Sequence, residues 1–168
     1  MATNNCLNTY IVPTTANEVT MPSQPAFLAN MNASDDDVTG DGTQYFVTYD
    51  TEIFDQNSDF NTGTYTFTAP VTGRYFATYI LVYHDIAANH GDSLIQMHYS
   101  NNQNTQSFRV NPSVLRYGGS TINLTGSQVI DMDAADICHI ALTISGGTKT
   151  VDVTGGGAGS WFGMELLC

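Results

Sequence analysis

Apolar and polar residues alternate with a period of two along much of this chain. The clearest stretch is Thr64–Val71, where Tyr65, Phe67 and Ala69 fall on one face and Thr64, Thr66 and Thr68 on the other. Successive strand side chains point to opposite faces, so this pattern predicts a strand with one buried face. Ile137–Ser145 alternates in the same way, with Ile137, His139, Ala141 and Thr143 opposite Cys138, Ile140, Leu142 and Ile144. Ser93–Ser100 alternates too. Further strand-like runs are Ala26–Met31, Gln44–Phe54, Gln106–Val110, Val114–Tyr117, Thr121–Met132, Val151 with Val153, and Trp161–Leu167. Turn clusters separate them, among them Asp55–Gly63, Thr72–Gly73 and the glycine run Gly155–Gly157. About nine or ten short strands at roughly 8–12-residue spacing predict an all-β sandwich or jelly roll. No segment carries a capped 3.6-residue period, and no internal repeat or second domain is apparent.

Arg74–His84 is different. Tyr75, Ala77, Tyr79, Leu81 and Tyr83 form one face; Phe76, Thr78, Ile80 and Val82 form the other. Both faces are largely apolar, whereas an antiparallel sandwich strand usually wets one. Either a second subunit covers the extra face or the chain's own loops do.

Residues 1–24 break the pattern. Pro13 and Pro22 lie within them and Pro25 follows at once. Proline lacks the backbone donor and biases its predecessor to extended geometry, so this segment reads as an extended anchoring arm ahead of a domain over residues 25–168. Leu7, Tyr10, Ile11, Val12, Val19 and Met21 would gain by docking on a partner.

Composition narrows the function. The chain has 168 residues, enough for one core-forming domain, and is 42% hydrophobic with nine Tyr and eight Phe. Four Lys+Arg stand against sixteen Asp+Glu, a net charge of −12. Such a chain repels phosphate backbones and anionic lipid, so neither nucleic acid nor membrane is an expected partner. Cys6, Cys138 and Cys168 show no metal-ligand spacing; Cys138 reads as a small buried hydrophobe. The first twenty residues hold no basic and apolar regions of a secretory signal, and no apolar run approaches a membrane span.

Candidate chemistry is sparse. The acidic loop Ser34–Gly42 carries Asp35, Asp36, Asp37 and Asp41, the one candidate calcium site, although the spacing fails the EF-hand loop. His84, His90, His98 and His139 sit on separate segments without a zinc spacing and read as structural. No nucleophile elbow, phosphate loop or dinucleotide motif is present, so no catalytic residue, cofactor or enzymatic activity is expected.

Three motifs in order carry a resemblance. Phe60 and Asn61 precede the run TYTFTAPVTGRYFATY at 64–79, with Phe67, Thr68, Pro70, Gly73, Tyr75 and Phe76 in place. DMDAADICHIAL at 131–142 and GSWFGMELL at 159–167 follow, and PAFLA opens the domain. Together these resemble the C1q/TNF-like globular heads over about residues 25–167. Ala135 stands where those heads usually have glycine, and Glu165 interrupts the closing strand.

The resemblance implies a jelly roll of about ten antiparallel strands, working as a non-enzymatic homotrimer. It implies aromatic strands packed on a threefold axis, which would place Tyr75, Tyr79, Tyr83, Phe76 and Trp161 at the trimer interface. Some such heads bind calcium near the axis. The whole chain also looks like bacteriophage proteins, through its MATNN opening and FDQNSDFNTGTYTFTAPVTGRY. That implies a virion-surface protein, either a capsid decoration or head-fibre protein gripping a capsid or tail protein through residues 1–24, or a receptor-binding tail-fibre tip. For a tip that binds a host glycan, Tyr45, Tyr49, Tyr99 and Tyr117 with Asn101, Asn102 and Asn104 are the candidate sugar surface.

Overall fold

A computed structural model describes residues 12–13, 19–20, 23–101, 103–115, 121–157 and 159–167. The strands in chain order are β1 (Val12–Pro13), β2 (Val19–Thr20), β3 (Ala26–Asn30), β4 (Asp35–Thr39), β5 (Gln44–Phe46), β6 (Thr51–Asp55), β7 (Phe60–Asn61) and β8 (Thr66–Thr68). They continue with β9 (Gly73–His84), β10 (Asp92–Tyr99), β11 (Asn104–Val110), β12 (Ile122–Met132), β13 (Ile137–Ser145), β14 (Val151–Val153) and β15 (Trp161–Leu166). A single helical turn, α1 (Pro112–Leu115), falls between β11 and β12.

Two antiparallel sheets face each other. The larger runs β4-β14-β9-β15-β3-β6, with β12 laid along the other side of β9. The smaller runs β11-β10-β13-β8-β7, with β5 also on β13. Strand β9 is the spine: β12 pairs with it from Tyr83 to Gly73, while β15 and β14 take its opposite edge. The expected arm lies almost wholly outside the described residues; within it β1 pairs with β2.

Burial follows the alternation. Tyr75, Ala77, Tyr79, Leu81 and Tyr83 of β9 are buried, as are Ile95 and Met97 of β10 and Cys138, Ile140, Leu142 and Ile144 of β13. Phe27 stacks on Phe60 at 4.4 Å and on Phe67 at 5.2 Å, and meets Phe162 edge-on at 5.1 Å. That cluster joins both sheets, and offset and edge-on pairs of this kind add about 0.5–1.5 kcal/mol each beyond burial. Two of the inward tyrosine hydroxyls find partners, Tyr75 donating to the Val71 carbonyl at 2.6 Å and Tyr83 pairing with Ser93 at 3.1 Å, whereas the buried Tyr49 hydroxyl has none.

The turn motifs have physical reasons. The Asp55 carboxylate accepts backbone N–H groups from Asn57, Asp59 and Phe60, which curls FDQNSDF. Asn61 Oδ1 accepts from Gly63 and Thr64, and Asp136 Oδ2 from Asp133. Short polar side chains that bond their own backbone hold such turns without a ladder. Ala135, at the glycine position of the resemblance, keeps a left-handed φ of 73°, so the turn survives with the strain of a Cβ.

Three expectations are corrected. The acidic segment is not a loop: Asp35–Thr39 is β4, paired with β14 through a bulge. Gln44–Phe54 is not one strand but β5 in the smaller sheet and β6 in the larger, since the chain crosses between sheets at residues 47–50. Val114–Tyr117 is not a strand; Val114 and Leu115 lie in α1, and residues 116–117 fall outside the described set. In the first two cases ladder partners, not local pattern, decided the state. In the third the Asn111 side chain accepts from the Ser113 N–H and hydroxyl and starts the turn.

Candidate functional site

The outward face of the larger sheet carries the main surface feature. Residues paired across a ladder share a face, so the register defines its rows. One row is Phe54, Leu28, Gly163, Thr78 and Ser127; the next is Asn30, Trp161, Ile80 and Thr125. On the other side lies Ala26, Glu165, Phe76 and Val129. Phe54 and Val129 are each 50% exposed. Gly163 has no side chain to raise the surface: a Cβ there would stand 2.9 Å from the Phe27 carbonyl oxygen. The result is a shallow depression of about 200 Å³ lined by Leu28, Phe54, Phe76 and Thr78, with Glu165 at its margin. An apolar face spread over five strands is more than scattered surface hydrophobes, and is the kind of patch that interaction surfaces present.

This face corrects the expected interface residues. Tyr75, Tyr79 and Tyr83 point into the sandwich, at 0–2% exposure, so no second chain reaches them. Phe76 and Trp161 lie on the outward face, half-buried. Thr78, Ile80 and Val82 share it, and Leu28, Phe54 and Val129 join from neighbouring strands. On the inward side the Val71 carbonyl receives the Tyr75 hydroxyl and Ser93 pairs with that of Tyr83, so the sandwich interior accommodates these polar tips.

The four aspartates do not form a cage. Among the described residues, no three of their carboxylates gather within 4.8 Å. Asp35 Oδ2 instead accepts from the Tyr45 hydroxyl at 2.5 Å and the Thr48 hydroxyl at 2.6 Å. Asp41 accepts from the Thr43 N–H at 3.0 Å, and that bond holds its pKa below the usual carboxylate value. Among the described residues, the candidate sugar surface is not brought together as one free face either. Tyr49 is fully buried, Tyr45 is tied to Asp35 and Thr48, and the Asn101 side chain is tied to Asp136 and Ile137. Asn104 is exposed, Tyr99 half-buried; Asn102 and Tyr117 lie outside the described residues. Cys138 is buried and free, its thiol pushed far up by burial; Cys6 and Cys168 lie outside the described residues.

The histidines have separate fates. His90 is fully buried and braces loops: Nδ1 accepts from the Ala87 N–H at 3.0 Å, which leaves Nε2–H to donate to the Thr148 carbonyl at 3.1 Å. His98 and His139 oppose each other on β10 and β13, stacked at 5.0 Å. His139 is 8% exposed and its Nδ1 has no hydrogen-bond partner; burial, then the nearby His98, lowers its pKa from 6.5 to about 4. Burial lowers His98 as well. The fold therefore holds a neutral imidazole where the unfolded chain would take a proton. This contribution is complete above pH 6.5 and disappears as pH falls through about 4. We expect up to about 3 kcal/mol of stability to go from His139 over that window. His139→Phe keeps the ring against Phe46 and should flatten the loss, measured by urea unfolding at pH 7 and pH 4.5. Equal acid sensitivity of both proteins would remove His139 as the cause.

No protein-family model matches the sequence, and no curated protein matches it. Solved structures do match. The globular domain of zebrafish complement 1qA is 18% identical, with 87% of this chain and 98% of that chain covered at a TM-score of 0.60. Murine APRIL is 11% identical, covering 86% and 100%, with a TM-score of 0.61. The Eiger TNF from S. frugiperda is 12% identical, covering 86% and 93%, also at 0.61. The chain has the C1q/TNF-like jelly-roll fold.

Proposed function

We propose that this protein is a non-enzymatic homotrimeric head, assembled through the outward face of its larger sheet, on the surface of a viral particle. The observation that carries the trimer is the apolar face of Leu28, Phe54, Phe76, Ile80, Val129 and Trp161, which a lone protomer leaves partly in water. The occupant is two further copies of the chain, because the sequence resemblance implies threefold packing of such strands. A closed ring also covers the face on every copy and leaves no open end.

The viral setting rests on sequence likeness alone, in FDQNSDFNTGTYTFTAPVTGRY and the Asn/Thr-rich opening. Within it we favour capsid decoration or a head fibre, held by residues 1–24, over a glycan-binding tail tip. The buried or bonded states of Tyr45, Tyr49 and Asn101 weigh against the tail-tip reading. The test is rebinding of the purified full chain to parent particles stripped of it. Changing Tyr10 and Ile11 together to serine should weaken rebinding roughly tenfold or more, since two sizeable apolar side chains are lost. Undiminished rebinding would show that the arm does not anchor.

A further inference from the structure

We propose that His84, Asp85 and Asp152 form a binding site for a first-row divalent cation of the Zn²⁺ class. The three come together where β9 ends beside β14. His84 and Asp152 are directly opposed in the ladder, and Asp85 is the next residue after β9. Asp85 adopts φ 61°, a left-handed turn that aspartate tolerates better than most residues. His84 Nδ1 lies 3.4 Å from Asp85 Oδ2 and 3.8 Å from Asp152 Oδ2, and the three ligand atoms all fall within 4.8 Å of one another.

Those spacings suit an ion better than direct bonds. Both exceed the usual N–H···O range of about 2.7–3.2 Å. A tetrahedral ion with ligands at about 2.1 Å holds them about 3.4 Å apart. The carboxylate facing the imidazole is also fixed from behind. Asp152 Oδ1 accepts the Asp37 backbone N–H at 2.7 Å, and the Asp152 side chain is only 13% exposed, so Oδ2 is left towards His84. An outer partner of this kind orients a metal ligand. His84 and Asp85 are 31% and 59% exposed, which leaves an entry path and room for a water as the fourth ligand. The net charge of −12 raises local cation concentration.

Ligand type selects the ion. An imidazole nitrogen with two carboxylate oxygens suits zinc and its first-row neighbours; calcium wants six to eight oxygens. The site is therefore distinct from the calcium site sought at Asp35, Asp36, Asp37 and Asp41. All three ligands belong to one chain, so no residue of a second copy is needed to complete the site.

The competing account of the same atoms is a protonated His84 paired with two carboxylates. Calorimetric titration of the intact protein with Zn²⁺ at neutral pH separates them. The site should bind about one Zn²⁺ per chain with a Kd of about 10 µM or tighter. His84→Ala and Asp85→Asn should each weaken that binding about tenfold or more. Asp85→Asn is the safeguard against misfolding, because asparagine accepts the same left-handed φ. His98→Ala, on the smaller sheet, should leave binding unchanged. Absence of saturable binding, or equal binding by wild type and both site variants, overturns the proposal.

Discussion

Ile80→Asp is expected to yield folded monomers. Ile80 lies mid-way along β9 on the outward face, level with Trp161 on β15 and Thr125 on β12. In a lone protomer the new carboxylate stays hydrated, and the fold loses at most about 1 kcal/mol in strand preference. In the trimer the same carboxylate is desolvated without a partner. Leaving one charge buried and unpaired costs about 3–5 kcal/mol, and a threefold ring carries that cost at every copy. One step of about 4 kcal/mol already weakens association by roughly a thousandfold. Circular dichroism should retain the β signature while the sedimenting mass falls to one chain. Leu81→Asp, one residue along and fully buried, should instead abolish folding. The pair therefore separates loss of assembly from loss of structure. A trimer that persists in Ile80→Asp would place the interface elsewhere.

Gly40→Ala is expected to cost about 3–5 kcal/mol, the sum of a left-handed backbone and a steric collision. Gly40 has φ 130°, and a Cβ there would come within 2.0 Å of the Thr148 carbonyl oxygen. That oxygen belongs to backbone, which cannot swing aside as a flexible side chain would. Gly40 also donates to Ile144 and accepts from Gly147, so it ties the end of β4 to the turn after β13. The same carbonyl of Thr148 receives His90, so movement there would disturb a second staple. Gly157 is the comparison: φ is 61°, but a Cβ meets nothing within 4 Å. Gly157→Ala should lose only about 1 kcal/mol. Urea unfolding of both variants against wild type reads the difference. Near-equal losses would mean that the Thr148 turn yields more easily than its contacts imply.

The strands were largely legible because alternation is a local signal. β10 and β13 fall where the period of two puts them, and β9, β12 and β15 where the apolar-rich runs do, while Thr64–Val71 shortens to β8 because Tyr65 takes a left-handed φ of 59°. The acidic segment was harder to read. Asp35–Thr39 lacks apolar alternation, and it is a strand because β14 supplies its ladder and Tyr45 with Thr48 supplies donors to Asp35. The sheet change between β5 and β6 was likewise invisible, since Gln44–Phe54 reads as one β-rich run while its two halves pair with β13 and β3.

The candidate interface was half legible. A strand apolar on both faces signalled an extra surface to cover. The period could not say which face turned inward, so the expected interface mixed the buried Tyr75, Tyr79 and Tyr83 with the outward Phe76 and Trp161. Leu28, Phe54 and Val129 could not be assigned to that surface at all, because only the ladder registers bring them beside Phe76. His84, Asp85 and Asp152 escaped for the same reason: 67 residues separate Asp85 from Asp152 in sequence, and β14 closes the gap in space.

Sedimentation equilibrium of the wild-type protein decides whether the outward face of the larger sheet builds a trimer. Three chains of 18.2 kDa should sediment as one species of about 55 kDa, stable on dilution. A single species at 18.2 kDa, with Phe54, Phe76 and Ile80 left in water, would contradict it.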